Sequence, residues 1–167
     1  ARNRGAGVAR APFLLFLDAD DWLYPEAIER LYEEWRNSEA CVYSDYVGKA
    51  FIADVSELAP DLQQRVQYRN EEDGETVILY ETKDYDWQKA QRQPEGDNPW
   101  IWCNVTTLTP KAWHDEIGGF DEDMASWEDV DYWYRMARAG KPFVRVPEPL
   151  LVYQFYSGSR RDKGVGQ

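Results

Sequence analysis

The apolar run Phe13-Leu-Leu-Phe-Leu17 passes without a break into Asp18-Ala-Asp-Asp21. Five consecutive apolar residues match a central α/β strand buried on both faces rather than a half-solvated one. The abrupt acidic end then puts carboxylates at the strand's carboxyl end, where open α/β sheets bind their ligands. Pro25 suits the first position of a helix, and Ile28, Leu31, Tyr32 and Trp35 follow at i, i+3, i+4 and i+7, with Glu26 spaced to pair with Arg30. This helix is expected to run to about Arg36. Cys41-Val-Tyr43 reads as a second strand ending at Ser44-Asp45, and the strand, helix, strand order favours a parallel sheet.

From Gly48 to Pro99 the pattern degrades. Charge is dense, Glu71-Glu-Asp-Gly-Glu75 has the composition of a turn, and only Thr76-Val-Ile-Leu-Tyr80 resembles a strand, so residues 48–99 read as an excursion from a single domain spanning 1–167. Regularity returns at Trp100 to Leu108. Thr109 is placed to cap a short helix with Pro110 at its first position and Gly118-Gly119 as its stop. Ser126 is expected to cap a longer helix whose apolar face is Val130, Trp133, Tyr134 and Ala137, ending at Gly140 just before Pro142. Phe143-Val-Arg-Val146 and Leu150 to Tyr156 read as two more strands, and Ser157-Gly-Ser-Arg-Arg161 begins a polar tail.

Composition narrows the partners. With 31 Asp and Glu against 19 Lys and Arg, the formal charge of -12 repels phosphate backbones and anionic lipid, so neither a nucleic acid nor a membrane surface is expected as a partner. Hydrophobic residues at 43%, including eight Trp, eleven Tyr and six Phe, are too many for a disordered acidic chain. Cys41 and Cys103 lie far apart with no companion pair and read as reduced, buried thiols of a cytoplasmic protein. The longest apolar stretches are too short for a transmembrane segment. Arg2, Arg4 and Arg10 ahead of the apolar run have the outline of a signal peptide, but no small-residue cleavage site follows. The chain does not begin with Met and is expected to be processed or part of something longer.

Two acidic segments carry the chemistry. Hard oxygen ligands in Asp18-Ala-Asp20-Asp21 suit Mg or Mn, which would let an acidic protein hold a diphosphate; the plain alternative is an Asp-rich turn capping the helix at Pro25. An EF-hand is excluded by Leu23 and Pro25 inside the loop, whereas the strand-then-Asp-x-Asp opening of haloacid-dehalogenase-type phosphatases stays open as an alternative although Trp22 departs from it. The second segment, Ser126-Trp-Glu-Asp129-Val-Asp131, also fits an ordinary capping box. At 100° per residue Asp129 lies roughly 90° from the centre of the expected Val130/Trp133/Tyr134 face and Glu128 nearly opposite it, making Asp129 the better candidate to flank a cleft. Trp100, Trp102 and Trp127 lie near these segments and can stack on a sugar ring, while Trp35, Trp133 and Tyr134 sit at core spacing. His114, between Lys111 and Asp115 on its short helix, reads as a surface residue.

Taken in order, Ala1-Arg-Asn-Arg-Gly5, Phe16-Leu-Asp-Ala-Asp-Asp21 with Pro25, Ile117-Gly-Gly-Phe-Asp-Glu122 and Trp127-Glu-Asp-Val-Asp131 resemble the family 2 glycosyltransferases of the GT-A fold. The resemblance covers residues 1 to about 46 and about 100 to 160. It implies an α/β domain, a partial GT-A (Rossmann-like) mixed sheet flanked by helices. It also implies an inverting transfer from a nucleotide-sugar donor to a saccharide or other hydroxyl acceptor, dependent on Mn or Mg. By the same resemblance Asp20 would be the principal metal ligand, Asp18 would contact ribose or metal, Asp129 with its neighbour Glu128 would supply the base, and Arg2 and Asn3 would lie near the nucleotide. Two departures stand out. Tyr156 occupies the place where many members carry a metal-binding His, and the family's opening strands, with the acid that reads the nucleotide base, have no counterpart here. The isolated chain is therefore expected to be inactive, and to oligomerise over the exposed edge of the 13–17 strand or to cover it with the excursion, through Thr76 to Tyr80. A non-catalytic carbohydrate-binding or interaction module is a further alternative.

Overall fold

The computed structural model describes residues 1–52, 54–58, 60–82, 84, 106–125 and 127–155. Two long strands carry the fold: β3 (Cys41–Phe51) and β7 (Phe143–Gln154) lie parallel at the centre of one sheet. β2 (Trp22–Leu23) pairs antiparallel with β7, β5 (Glu75–Tyr80) antiparallel with β3, and β4 (Val66–Arg69) closes the far side against β5, giving the order β2-β7-β3-β5-β4. β1 (Phe13–Leu14) and β6 (Thr109–Pro110) form a separate antiparallel ladder that a Val42–Leu108 bridge ties to β3. Helices α1 (Arg2–Val8), α2 (Ala27–Ser38), α4 (Lys111–Glu116) and α5 (Glu128–Arg138) flank these strands, and a one-turn α3 (Pro60–Gln63) precedes β4. This is the expected α/β class with a mixed sheet, consistent with a partial GT-A fold.

The alternation of β3 sorts the core into two layers. Cys41 and Tyr43 face α5 with Tyr132, Trp133, Met136 and Phe143, while Val42 faces α2 with Ala27, Leu31, Val146 and Leu150. The 13–16 segment lies between them: Phe13 packs edge-on against Trp35, and Phe16 edge-on against Phe120. Both faces of the run are thus covered, as expected, but its central position is not found. Only Phe13 and Leu14 enter a ladder, Leu17 is 43% exposed, and among the described residues no strand pairs with β1 on the side away from β6. Nor, among the described residues, does the excursion cover that edge. Its first residues extend β3 to Phe51, and the expected Thr76 to Tyr80 strand, observed as β5, pairs with β3 instead.

Other boundaries shift for identifiable reasons. β7 is continuous where two strands were expected, because Pro147 and Glu148 fall in a register jump between the Ser44–Val146 and Asp45–Pro149 pairs, a bulge that spares proline a ladder donor. In α2 the buried stripe is Ala27 and Leu31 with Trp35 packed beside it, leaving Ile28 60% exposed and Tyr32 exposed. Arg30 pairs with Glu148 and Glu33 rather than with Glu26. Thr109 belongs to β6 and donates its hydroxyl to Thr107 O instead of capping α4, whose N-cap is Pro110. Gly118 and Gly119, at φ 79° and 72°, end that helix as expected. Trp127, left-handed at φ 65°, is the N-cap of α5, and the expected cap Ser126 lies outside the described residues.

Candidate active site

α1 was not expected from sequence, since Gly5 and Gly7 lower its propensity and no side chain caps it. Tertiary contacts hold it. Asn3 Oδ1 accepts the Phe120 N–H at 2.8 Å, and Asn3 Nδ2 donates to Phe120 O at 2.7 Å and to Glu122 Oε1 at 3.0 Å. This approach requires glycine at 119, where a Cβ would stand 2.6 Å from Asn3 Oδ1. Asn3 is therefore engaged with the 119–122 loop.

That anchorage presents Arg2 to both acidic segments. Its Nη2 donates to Asp18 Oδ1 at 2.8 Å and its Nη1 to Glu128 Oε1 at 2.8 Å, with the guanidinium carbon 5.3 Å from the centre of the Phe120 ring. One cation thus joins the end of the 13–17 run to the start of α5. The three residues line an open groove of about 920 Å³ that runs beside α1, residues 13–19 and the 120–125 loop.

The carboxylates differ in environment. Asp20 is exposed and makes no hydrogen bond or ion pair among the described residues. Asp18 uses one oxygen on Arg2, and its carbonyl accepts the Asp21 N–H at 3.1 Å. Asp21 is only 7% exposed: Oδ1 accepts the Gln154 N–H at 3.0 Å, Oδ2 is buried without a partner, and burial pushes its pKa up to about 6 with help from the charges of Asp20 and Asp18. Sequence reasoning counted Asp21 only among the hard oxygens of its segment and did not foresee its burial.

On α5 the buried face is Tyr132, Trp133, Met136 and Ala137, with Val130 and Tyr134 only half-buried. At 3.6 residues per turn, Asp129 projects within about 10° of the centre of this face and Glu128 about 110° away. Asp129 is accordingly half-buried and is not among the residues lining the groove, whereas Glu128 is, so the expectation that Asp129 rather than Glu128 flanks the cleft is not met. Its pKa is raised by burial and by the Glu128 charge, against the Val130 N–H and the more distant Arg2. Glu128 is the one whose charge is directly paired.

The oxygen-only donor set suits a hard divalent cation. Among the described residues no three ligating side chains gather at one point, so protein ligands would number one or two, with phosphate oxygens and water completing the shell, as Mg usually binds. Asp20 and the second oxygen of Asp18 are unengaged and fit that arrangement.

His114 corrects the surface assignment. It is 4% exposed, its Nδ1 lies 2.9 Å from the Tyr132 hydroxyl, and burial lowers its pKa. The element built after Gly118-Gly119 folds back over it, which its helix spacing alone did not reveal. Cys41 is buried, as expected, with its thiol pushed up to about 12 by burial. Trp127 is exposed; Trp100, Trp102, Cys103 and Tyr156 lie outside the described residues.

Residues 1–54 match the family described as Glycosyl transferase family 2. The chain is also similar to the validoxylamine A glucosyltransferases of Streptomyces hygroscopicus subsp. jinggangensis (strain 5008) and subsp. limoneus, at 27% identity over 159 residues in each case. These alignments cover 86% of this chain and 36% and 33% of the relatives. The chain therefore spans about a third of the length of the curated relatives it matches. Among the described residues no helix is long and apolar enough to cross a membrane.

Proposed function

We propose, for a chain that is a family 2 glycosyltransferase fragment, that its two acidic segments form the metal and base side of an inverting sugar transfer from a nucleotide-sugar donor to a hydroxyl acceptor. The observation that carries this reading is the Arg2 guanidinium, which holds Asp18 and Glu128 at 2.8 Å each and so brings motifs far apart in sequence to one groove. Glucose, the sugar in the relatives' name, is the first donor to test.

Asp20, with Asp18 beside it, would hold Mn or Mg against the donor diphosphate. That cation supplies the positive charge that offsets the charge developing on the leaving group. Arg2 keeps Asp18 at the groove and neutralises Glu128. Asp129, kept off the cation and desolvated, has a raised pKa, which makes it a stronger base than an exposed carboxylate; it takes the acceptor hydroxyl's proton as that oxygen attacks the anomeric carbon from the face opposite the nucleotide. Asn3 acts through the 119–122 loop, fixing α1 so that Arg2 reaches both carboxylates. The transfer is proposed for the protein in which these residues adjoin a base-binding half-pocket.

Nucleoside diphosphate titration tests the metal side. Binding should require Mn or Mg, and Asp20→Asn should abolish the difference between metal and chelator. Equal affinity of the unmodified protein in chelator would contradict it.

A further inference from the structure

The structure assigns Asp21 the role of a positioning residue for the acidic loop, acting through its hydrogen bond to the Gln154 amide; this rests on the transferase reading above. The β2–β7 ladder pairs Leu23 with Leu151 and Trp22 with Val152, and just beyond its end the Asp21 side chain receives the Gln154 N–H at 3.0 Å. Gln154 is itself buried and fixed from the other side, its Nε2 donating to Lys49 O at 2.8 Å. The loop end is thereby fastened through β7 to β3. On the loop side, Asp21 N–H closes a turn onto Asp18 O at 3.1 Å, so a shift of Asp21 carries Asp18 and Asp20 with it.

Asp20 has no hold of its own and Asp18 is held only at its tip by Arg2, which leaves Asp21 as the side-chain tie at the far end of the loop among the described residues. Among the described residues Oδ2 has no hydrogen-bond partner. An amide keeps the one acceptor oxygen that meets the Gln154 N–H, and its NH2 would replace an oxygen that makes no bond there.

The test compares Asp21→Asn with Asp21→Ala in the full-length protein. UDP and Mn serve as probes by calorimetry, alongside donor and acceptor KM and hydrogen exchange at the Gln154 amide. Asp21→Ala should weaken Mn-assisted UDP binding and raise donor KM by about tenfold or more with acceptor KM unchanged, while Asp21→Asn should stay within roughly twofold of the unmodified protein. Exchange at Gln154 should accelerate in the Ala variant and not in the Asn variant. Equal harm from both variants, harm from neither, or a matching rise in acceptor KM would overturn the role. If the unmodified protein bound no nucleotide, the transferase reading would fail first and the role with it, and Gln154 exchange would still report whether the tie exists.

Discussion

His114 and Asp21 are buried titratable groups whose effects on stability run in opposite directions with pH. Burial disfavours charged His114, so its folded pKa lies below the 6.5 of the free side chain. Its contribution is complete above pH 6.5 and declines as pH falls, because the unfolded chain takes up a proton that the folded one resists. Asp21, at about 6 when folded, acts in reverse, holding a proton that the unfolded carboxylate has released and so adding stability as pH falls toward the 3.8 of the free side chain. Comparing a His114 variant with its parent isolates the first effect. His114→Asn should lower Tm at pH 7, through loss of the Tyr132 contact, yet show a smaller fall in Tm between pH 7 and pH 5. An unchanged pH slope would show that His114 is not the group that resists protonation.

At the scale of elements, α1 and α5 show what local pattern does and does not disclose. α5 was legible as a helix, but its buried face is rotated toward Tyr132 and Met136, because Phe120 stacks on Tyr132 at 4.1 Å and Cys41 and Tyr43 cover the same side. The expectation that Asp129 rather than Glu128 flanks the cleft rested on the Val130/Trp133/Tyr134 face; the rotation reverses that order, turning Asp129 to the buried side and leaving Glu128 on the groove. α1 was illegible because its order comes from residues more than a hundred positions away, chiefly the Asn3 bonds to Phe120. Asn3→Ala should cost about 1–2 kcal/mol, since it strands the buried Phe120 amide and carbonyl. Amide exchange in Arg2–Val8 should rise with it, because a glycine-containing helix of 7 residues has little stability of its own. Protection in α1 equal to that of the unmodified protein would contradict this account of what holds the helix.

In the whole molecule, the parallel β3–β7 pair supplies the rigid centre, and the two acidic segments meet at its side through Arg2. The acidic end of the 13–17 run and the carboxylates opening α5 were readable as motifs, since both follow from local residue order. That only Phe13 and Leu14 of the run enter a ladder was not, because an apolar run records that both faces are covered and says nothing of how many of its backbone groups pair. The extension of β3 to Phe51 was hidden by Gly48 and Lys49, which enter the sheet because Gly48 lets the Tyr80 and Phe155 rings close to 2.6 and 2.2 Å of where a Cβ would be. The central claim is that the site divides labour between its adjacent acids, with Glu128 held by Arg2 and Asp129 free to take a proton. Steady-state sugar transfer by the full-length protein tests it most directly. Asp129→Asn should lower kcat by roughly 10² to 10⁴ with donor affinity nearly unchanged, and Glu128→Gln should lower it less. A Glu128 variant more damaged than the Asp129 variant would contradict the account.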